Sequence, residues 1–282
     1  MREKVTVPAI QARKCGPKIK MVTAYDAPSA RIADRAGADM ILVGDTLAHV
    51  VLGYDDTLPA TVDVMIHHTA AVARAKPGAL IVGDMPWLSY HVSVEEAVRN
   101  AGRFIREGRA ECVKLEGGRK RLAVIEAIFA AEIPVMGHLG LTPQSIHVMG
   151  GFRVQGKRAE AARELVTDAH ALVAAGVFAI VLEGVPDVLA QIVTQEVPVP
   201  TIGIAGPHCD GQVLVYHDVL GLYDGRVPKF VRQYAHLANV ATEALQGFFA
   251  DVQAGTFPSD AESYHMDEES ARTLRILMRN EE

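Results

Sequence analysis

Three short apolar runs of the chain each end in a carboxylate. They cover residues 40–45, 80–84 and 112–116, and their last residues are Asp45, Asp84 and Glu116. Apolar runs of this length are typical of strands buried on both faces of a parallel sheet, whose carboxyl ends share one edge. The three carboxylates would meet at that edge as an all-oxygen set suited to a hard cation such as Mg²⁺. The alternative is that each acid caps the helix after its strand.

Three further ionisable side chains follow the same pattern. Lys114 lies two residues before Glu116, so both side chains point to one face of the strand. A cation there either holds an anionic substrate group or neutralises a buried Glu116. His138 ends the next run. It could be a metal ligand, a donor to substrate, or a histidine whose ring is satisfied by a carbonyl. Glu183 ends the run after that, as a spare acid for proton transfer or as a helix N-cap.

Composition narrows the class of protein and of ligand. The 282 residues are 49% hydrophobic and 22% charged with a net charge of −6, which is typical of a globular protein. The acidic balance disfavours nucleic-acid and anionic-membrane partners and favours small molecules. No apolar stretch approaches the ~20 residues of a membrane span, and the N-terminal residues lack the apolar core of a signal peptide. These features predict a cytoplasmic protein.

Strand-like runs alternate with amphipathic stretches from residue 18 onward, which is the rhythm of βαβ units. Eight strands are predicted, at 19–24, 40–45, 80–84, 112–116, 134–138, 179–183, 201–205 and, weakly, 227–231. Helices are predicted at 28–36, 62–75, 93–107, 119–131, 158–175, 186–195 and 217–222. Eight strands favour a closed (β/α)₈ TIM barrel over the alternative, an open doubly wound sheet.

No linker, composition shift or internal repeat divides the chain. We therefore expect one barrel domain over residues 1–282, with an N-terminal extension of about residues 1–17 and a polar tail from about residue 257 to 282. Residues 234–253 predict a further helix. The tail is expected either to fray or to form a short terminal helix.

Eight short segments form a distinctive set. They are TAYD at 23–26, VGDTL at 43–47, TLPATV at 57–62, HTAAV at 68–72, KLEGG at 114–118, GHLGLTPQS at 137–145, VQGK at 154–157 and DGQ at 210–212. Together they resemble the ketopantoate hydroxymethyltransferase family. The resemblance spans residues 18–253 and implies a (β/α)₈ barrel of the phosphoenolpyruvate/pyruvate type, assembled as a homodecamer. It also implies one Mg²⁺ per subunit and 5,10-methylenetetrahydrofolate as co-substrate.

The resemblance assigns roles to the same strand-end residues. The metal acids would be Asp45, Asp84 and Glu116; the 2-oxo-acid contacts Asp45, Thr46, Asp84 and Lys114, with His138 also touching substrate; and the proton acceptor Glu183. The implied reaction moves a hydroxymethyl group from the folate to 3-methyl-2-oxobutanoate through a Mg²⁺-stabilised enolate. Its product is 2-dehydropantoate, in pantothenate biosynthesis.

Two departures from the family pattern stand out. Thr46 replaces the usual serine, which keeps the hydroxyl and adds a methyl group. The usual IGIGAG segment is one residue shorter here and reads IGIAGP at 202–207. We expect the first change to preserve substrate contact and the second to alter the local loop and folate affinity.

Two rival functions are weaker. A Mg²⁺-dependent 2-oxo-acid lyase or mutase of the same barrel group would carry a catalytic cysteine in a KKCGH-like loop, whereas residues 137–145 contain no cysteine. A noncatalytic barrel that senses a 2-oxo acid would need no base beyond its metal ligands, and Glu183 is such a base.

Overall fold

The computed structural model describes residues 3–223, 225 and 227–279. Eight parallel strands close into a barrel in sequence order, with β8 hydrogen-bonded to β1. The strands are β1 Ile19–Thr23, β2 Met40–Val43, β3 Leu80–Asp84, β4 Cys112–Glu116, β5 Val135–Gly140, β6 Ala179–Glu183, β7 Thr201–Ile204 and β8 Gly211–Leu214. The predicted TIM barrel is confirmed, and the open-sheet alternative is wrong.

Helices surround and flank the strands. They are α1 Val7–Gln11, α2 Ala27–Arg35, α3 Leu47–Val50, α4 Val62–Arg74, α5 Val94–Arg106, α6 Leu122–Ala130, α7 Ile146–Met149, α8 Ala159–Ala174, α9 Asp187–Glu196, α10 Tyr216–Leu220, α11 Leu237–Ala254 and α12 Glu268–Arg279. Short 3₁₀ turns cover Arg119–Arg121, Pro143–Ser145 and Asp260–Glu262. Each predicted helix is present, with its ends shifted by at most a few residues.

Local capping fixes where several helices begin. The Asp26 carboxylate accepts from the Ser29 N–H at 2.7 Å, at the start of α2. Thr61 and Ser93 accept in the same way at the starts of α4 and α5. Side-chain oxygens thus satisfy backbone donors that the first turn of a helix leaves unpaired. The local sequence is therefore sufficient to determine where these helices begin.

The core has two layers, as the two-residue period of the strands requires. One set of side chains fills the barrel and includes Met40, Leu80, Val82, Cys112 and Met136. The alternate residues of the strands pack outward against the helices. Val5 and Ile10, from the segment before β1, are buried with the inner set. The predicted N-terminal extension therefore contributes to the core.

The eighth strand is not where the sequence pattern placed it. Residues 227–231 form no strand, and Pro228 among them lacks the N–H that a ladder needs. The strand is β8, whose Val213 lies opposite Met21 of β1. A side chain at Gly211 would place its Cβ only 2.5 Å from the Ile19 carbonyl oxygen, so this glycine allows the close approach of β1 and β8. The strand that closes the barrel is therefore Gly211–Leu214 and not the predicted 227–231.

Several strand ends also differ from the prediction. β1 and β7 stop one residue early, whereas β5 continues to Gly140. β2 ends at Val43, two residues before the predicted end at Asp45. Asp45 therefore lies in a turn beyond the strand. The other strand-end acids are the last residues of their strands.

The chain divides into two compact units. Residues Met1–Tyr234 contain the barrel, and Ala235–Glu282 contain α11 and α12. The predicted helix at 234–253 is confirmed as α11, and the tail contains α12 rather than only frayed chain. In the part of the chain that the structure describes, no helix has the length and apolar character needed to cross a membrane.

Candidate active site

The candidate catalytic side chains continue the inward-facing rows of the barrel at its carboxyl end. Asp84 lies opposite Lys114 in the β3–β4 ladder, and Glu116 lies opposite His138 in the β4–β5 ladder. Glu183 follows at the end of β6, opposite Gly140. Strand period and strand register thus bring together residues that are up to a hundred positions apart. The predicted convergence at one edge of the barrel is observed.

Lys114 lies among the acids. Its Nζ is 2.6 Å from Asp84 Oδ1 and 4.0 Å from Glu116 Oε1, and all three side chains are buried. Burial lowers the pKa of Lys114, but the charges of Asp84, Glu116 and Asp45 outweigh it and hold this pKa above its usual value. The ammonium group stays protonated. Because it is closer to Asp84 than to Glu116, Lys114 does more than neutralise Glu116.

His138 connects two carboxylates. Its Nδ1 is 3.4 Å from Glu116 Oε1, and its Nε2 is 3.3 Å from Glu183 Oε2. Burial and the Lys114 charge lower the pKa of His138, but the two carboxylates prevail and raise it to about 9. The imidazole is therefore protonated at neutral pH. Both ring nitrogens face carboxylates. The alternative that His138 is a histidine satisfied by a carbonyl is therefore wrong.

Asp45 joins the cluster from the turn after β2. Its N–H donates to Asp84 Oδ2 at 3.1 Å, and its own Oδ2 accepts from Gln144 Nε2 at 2.9 Å. Burial raises the pKa of Asp45, and the nearby charges of Asp84 and Glu116 raise it further. Burial and the two neighbouring acids therefore disfavour the ionised form of Asp45.

None of these acids serves as a helix cap in the described part of the chain. The N-cap residues of the helix or turn after each strand are Thr46, Ser93, Gly118 and Pro186. Of these four, only Ser93 makes a side-chain cap bond. The capping alternative is therefore wrong for Asp45, Asp84, Glu116 and Glu183. A different reason is needed for acids at these positions.

The donor set fits a hard divalent cation by chemistry and by charge. Three buried carboxylates face one Lys114 ammonium and one His138 imidazolium, and burial together with repulsion between the acids raises the pKa of Asp45. A cation would relieve that repulsion, and oxygen donors suit Mg²⁺. Among the described residues, no three acidic, histidine or cysteine side chains are already arranged as the ligands of a metal ion. Lys114 instead lies between Asp84 and Glu116.

Gln144 and Tyr90 are buried members of the site that sequence reasoning did not single out. The Glu116 N–H donates to the Tyr90 hydroxyl at 3.1 Å, so the hydroxyl proton is free to donate to Gln144 Oε1. The Gln144 Nε2 then donates to Asp45 Oδ2 and to the Met85 carbonyl oxygen at 3.0 Å. This one-directional chain fixes the orientation of the amide, which distances alone leave ambiguous.

Gln144 also holds a second acid through its main chain. Its N–H donates to Glu116 Oε2 at 3.1 Å, while its side chain holds Asp45. One residue of the loop after β5 therefore orients two of the three candidate metal acids. Gln144 belongs to the GHLGLTPQS segment, so the motif contained a signal. Tyr90 lies in the loop after β3 with no motif to mark it.

Thr46 lies beside the cluster, and its hydroxyl is paired. Thr46 Oγ1 is 2.9 Å from the Tyr25 hydroxyl, whose residue is part of the TAYD segment. The Tyr25 ring is buried, and burial raises the pKa of its phenol above the usual value. Thr46 keeps the hydroxyl that the serine of the family would supply, with Tyr25 orienting it.

The segment after β7, which includes residues 205–208, makes a tight turn. Ala205 has a φ of 58° and His208 a φ of 70°, both in the left-handed region that favours glycine. The Gln212 Nε2 donates to the Gly206 carbonyl oxygen at 2.8 Å and fastens the turn to β8. Backbone strain at two residues and one side-chain bond thus define this turn.

Solved structures with the same architecture define the fold class. A 2,3-dimethylmalate lyase, described as a PEP mutase/isocitrate lyase superfamily member, is 15% identical with a TM-score of 0.58 and covers 97% of this chain and 94% of its own. A phosphonopyruvate hydrolase, solved with oxalate and Mg²⁺, is 14% identical with a TM-score of 0.60 and covers 97% and 96%. The chain is a TIM barrel of this superfamily's fold.

Sequence comparison identifies the family. The family model for ketopantoate hydroxymethyltransferase matches residues 4–260. A 3-methyl-2-oxobutanoate hydroxymethyltransferase from Moorella thermoacetica is 59% identical over 265 residues, which are 93% of this chain and 98% of the relative. One from Syntrophomonas wolfei is 57% identical over 268 residues, 94% and 97% of the two chains. The chain belongs to the ketopantoate hydroxymethyltransferase family and is a transferase, as the motifs predicted.

Proposed function

We propose that this chain transfers a hydroxymethyl group from 5,10-methylenetetrahydrofolate to 3-methyl-2-oxobutanoate and forms 2-dehydropantoate, a step of pantothenate biosynthesis. The observation that carries the proposal is the row of contacts from Asp84 through Lys114, Glu116 and His138 to Glu183. It combines acids for a cation, a fixed positive charge and a spare carboxylate. Family membership supports the choice of substrate.

Asp45, Asp84 and Glu116 would hold one Mg²⁺ per subunit. When bound, the ion would polarise the keto group of the oxo acid and make its C3 proton more acidic. Lys114 and the Thr46 hydroxyl both bind the oxo acid, at its carboxylate and at its keto oxygen. Negative charge develops on the keto oxygen as the C3 proton leaves. The phenol of Tyr25, 2.9 Å from Thr46 Oγ1, keeps that hydroxyl in position.

Glu183 accepts the C3 proton. Its side chain is 13% exposed, whereas those of Glu116 and Asp84 are 3% and 2% exposed, so Glu183 reaches the mouth of the barrel where substrate enters. The protonated His138 lies beside it, with Nε2 3.3 Å from Glu183 Oε2. C3 then forms a bond to the one-carbon unit of the folate. Both C–N bonds between that carbon and the folate break, and the oxygen of one water molecule becomes the hydroxyl group of the product. The C3 proton and one proton of the water go to the two folate nitrogens, so that tetrahydrofolate is released.

We also propose that the chain assembles as a homodecamer, following the family resemblance. Helix α11 supports an assembly because it exposes a set of large apolar side chains, namely Val240, Leu245, Phe248, Phe249 and Val252. Apolar surface of this extent is typical of an interface. Light scattering of the purified protein should give a mass of ten chains, and the mass of a single chain would exclude the assembly.

A direct assay of product tests the proposed reaction. The protein is incubated with Mg²⁺, 3-methyl-2-oxobutanoate and 5,10-methylenetetrahydrofolate, and 2-dehydropantoate is measured by mass spectrometry. We expect product only when all three are present, and its loss on chelation of the metal. Folded, metal-loaded protein that makes no 2-dehydropantoate would overturn the proposal.

A further inference from the structure

Two basic side chains lie over the carboxyl end of β4, next to the candidate active site. Gly117 follows Glu116 directly and has a φ of 118°. A Cβ at Gly117 would lie 3.0 Å from Arg121 Cγ and 3.4 Å from Lys120 Cε. The aliphatic parts of both side chains therefore pack on the bare backbone of Gly117, one residue beyond a candidate metal acid.

The Arg121 guanidinium is tied to the site by an aromatic ring. Its Cζ is 5.5 Å from the centroid of the Tyr90 ring, within the range of a cation–π contact. The hydroxyl of Tyr90 contacts Glu116 and Gln144. Arg121 Nε is buried, and it finds no hydrogen-bond acceptor among the residues that the structure describes. The ring covers a face of the guanidinium and leaves a buried N–H donor unused.

His91 stands on the same ring. The centroids of the His91 and Tyr90 rings are 4.2 Å apart, and His91 Nδ1 is buried with no hydrogen-bond partner in the described part of the chain. Burial lowers the pKa of His91 to about 4, with the charges of Arg121 and Lys120 lowering it further. A neutral imidazole protonated on Nδ1 would offer a second unused donor beside the guanidinium.

The acids that contact this 3₁₀ turn pair with Arg119. Arg119, in the same 3₁₀ turn, bonds to Asp168 at 2.7 Å and also to Glu164. Across residues 3–223, 225 and 227–279, neither Lys120 nor Arg121 forms an ion pair. The turn thus contains one neutralised arginine and two positive charges without an acidic partner. Unused donors and unneutralised charge together describe a site for an anion.

We propose that His91, Lys120 and Arg121 form a carboxylate-binding subsite beside the candidate active site, and that it binds the glutamate tail of the folate co-substrate. This inference rests on the proposed function. There, the carboxylate of the oxo acid is bound by Lys114 and Thr46, so the carboxylates that remain are those of the tail. Arginine binds carboxylates through two parallel N–H donors, and each further glutamate of the tail would add a charge for Lys120.

Direct binding measurements test the subsite without requiring turnover. Calorimetry compares tetrahydrofolate, its triglutamate and tetrahydropteroate, which lacks the glutamate, for the wild type, Arg121→Gln and Lys120→Gln. Loss of a charge-assisted hydrogen bond predicts that Arg121→Gln weakens tetrahydrofolate binding about tenfold or more. Lys120→Gln should reduce the preference for the triglutamate. Tetrahydropteroate should bind the wild type and both variants equally, and Arg121→Lys should recover part of the affinity.

Arg119→Gln is the matched control, because it removes an equal charge from the same turn at a residue that is already paired. It should bind tetrahydrofolate as the wild type does. Unchanged tetrahydrofolate binding by Arg121→Gln, or an equal loss for tetrahydropteroate, would overturn the subsite. Weaker binding of the oxo acid alone, measured by the same calorimetry, would assign the charges to the other carboxylate and overturn the tail assignment.

The failure of the subsite and the failure of the proposed reaction are distinguishable. If wild-type protein makes 2-dehydropantoate but Arg121→Gln binds tetrahydrofolate normally, only the subsite is wrong. If wild-type protein makes no product, the reaction is wrong whatever the variants bind. Lys120 is exposed, so Lys120→Gln keeps the test valid even if Arg121→Gln weakens packing on Tyr90.

Discussion

Glu183 differs from the other acids of the site in its surroundings. Asp84 contacts the Asp45 N–H and Lys114, and Asp45 also contacts Gln144. The Glu183 side chain, in contrast, contacts His138 alone among the ionisable residues of the site. An acid that stands apart from a cation's donors and beside a fixed positive charge is suited to moving a proton. This difference separates the proposed base from the proposed metal ligands.

Gln144 should control the affinity for metal without touching it. Its amide orients Asp45 and its N–H orients Glu116, so Gln144→Ala leaves both carboxylates less well held. Losing such an outer partner of metal ligands typically costs about 10- to 100-fold in affinity. We expect Gln144→Ala to weaken Mg²⁺ binding by about tenfold, measured by calorimetry.

Gln155→Ala is the matched control for Gln144→Ala. Gln155 lies in the same long loop, but its side chain donates only to the Arg153 carbonyl oxygen at 2.8 Å. This variant should bind Mg²⁺ as the wild type does. Equal Mg²⁺ affinity for Gln144→Ala and the wild type would show that the amide does not organise the acids.

Sequence reasoning identified the charged residues of the site but not the neutral ones. Asp84, Lys114 and Glu116 end apolar runs, and the two-residue period of a strand is enough to place them on one face. Gln144 and Tyr90 act from loops after β5 and β3. Their contacts depend on how two loops meet in space, which no local pattern encodes.

At the scale of elements, the barrel is closed by a strand that the pattern did not reveal. The seven strands that the pattern identified lie in runs rich in aliphatic residues, whereas β8 begins with Gly211 and Gln212. Its position is set by partners distant in sequence, since the Ile19 N–H donates to the Asp210 carbonyl oxygen at 2.9 Å. Tertiary pairing here outweighs local propensity.

Asp210 should be a main stabiliser of this closure. Its buried carboxylate accepts from the N–H groups of Cys15 and Thr201 and from Lys14 Nζ at 2.8 Å. We expect Asp210→Asn to lower the free energy of unfolding by about 2 kcal/mol, measured by urea denaturation. An exposed control, Asp55→Asn, should change it by less than about 0.5 kcal/mol.

The same carboxylate predicts a dependence on acid. Burial raises the pKa of Asp210, but Lys14 and the N–H groups of Thr201 and Cys15 prevail and lower it below its ordinary value of 3.8. Its contribution to stability is therefore complete above that ordinary pKa and is lost as the pH falls through the lower, folded-state pKa. Asp210→Asn should show a smaller loss of stability across this range, and an equal loss in both proteins would contradict the assignment.

A glycine at Ala205 should relieve the strained turn after β7. Ala205 has a φ of 58°, where an L side chain is strained and glycine is not. We expect Ala205→Gly to stabilise the protein by about 0.5–1 kcal/mol in thermal or urea unfolding. The same change at Ala171, within α8, should destabilise by about 1 kcal/mol, because glycine is a poor helix former. A lower free energy of unfolding for Ala205→Gly than for the wild type would contradict the inference that Ala205 is strained.

At the scale of the whole molecule, the rhythm of strands and helices was sufficient to predict a TIM barrel, and the motifs were sufficient to predict the family. The barrel explains why the proposed function needs the complete fold. Its candidate site takes Asp45 from the turn after β2, and other side chains from β3, β4, β5 and β6. No single segment of the chain holds enough of these groups to do the chemistry.

Proton exchange at C3 tests the central claim most directly. The protein is incubated with Mg²⁺ and 3-methyl-2-oxobutanoate in D₂O without folate, and loss of the C3 proton is followed by NMR for the wild type and Glu183→Gln. We predict exchange in the wild type and a loss of about 10²-fold or more in Glu183→Gln, with oxo-acid binding retained. Exchange at the wild-type rate in Glu183→Gln, or no exchange in folded, metal-loaded wild type, would contradict it.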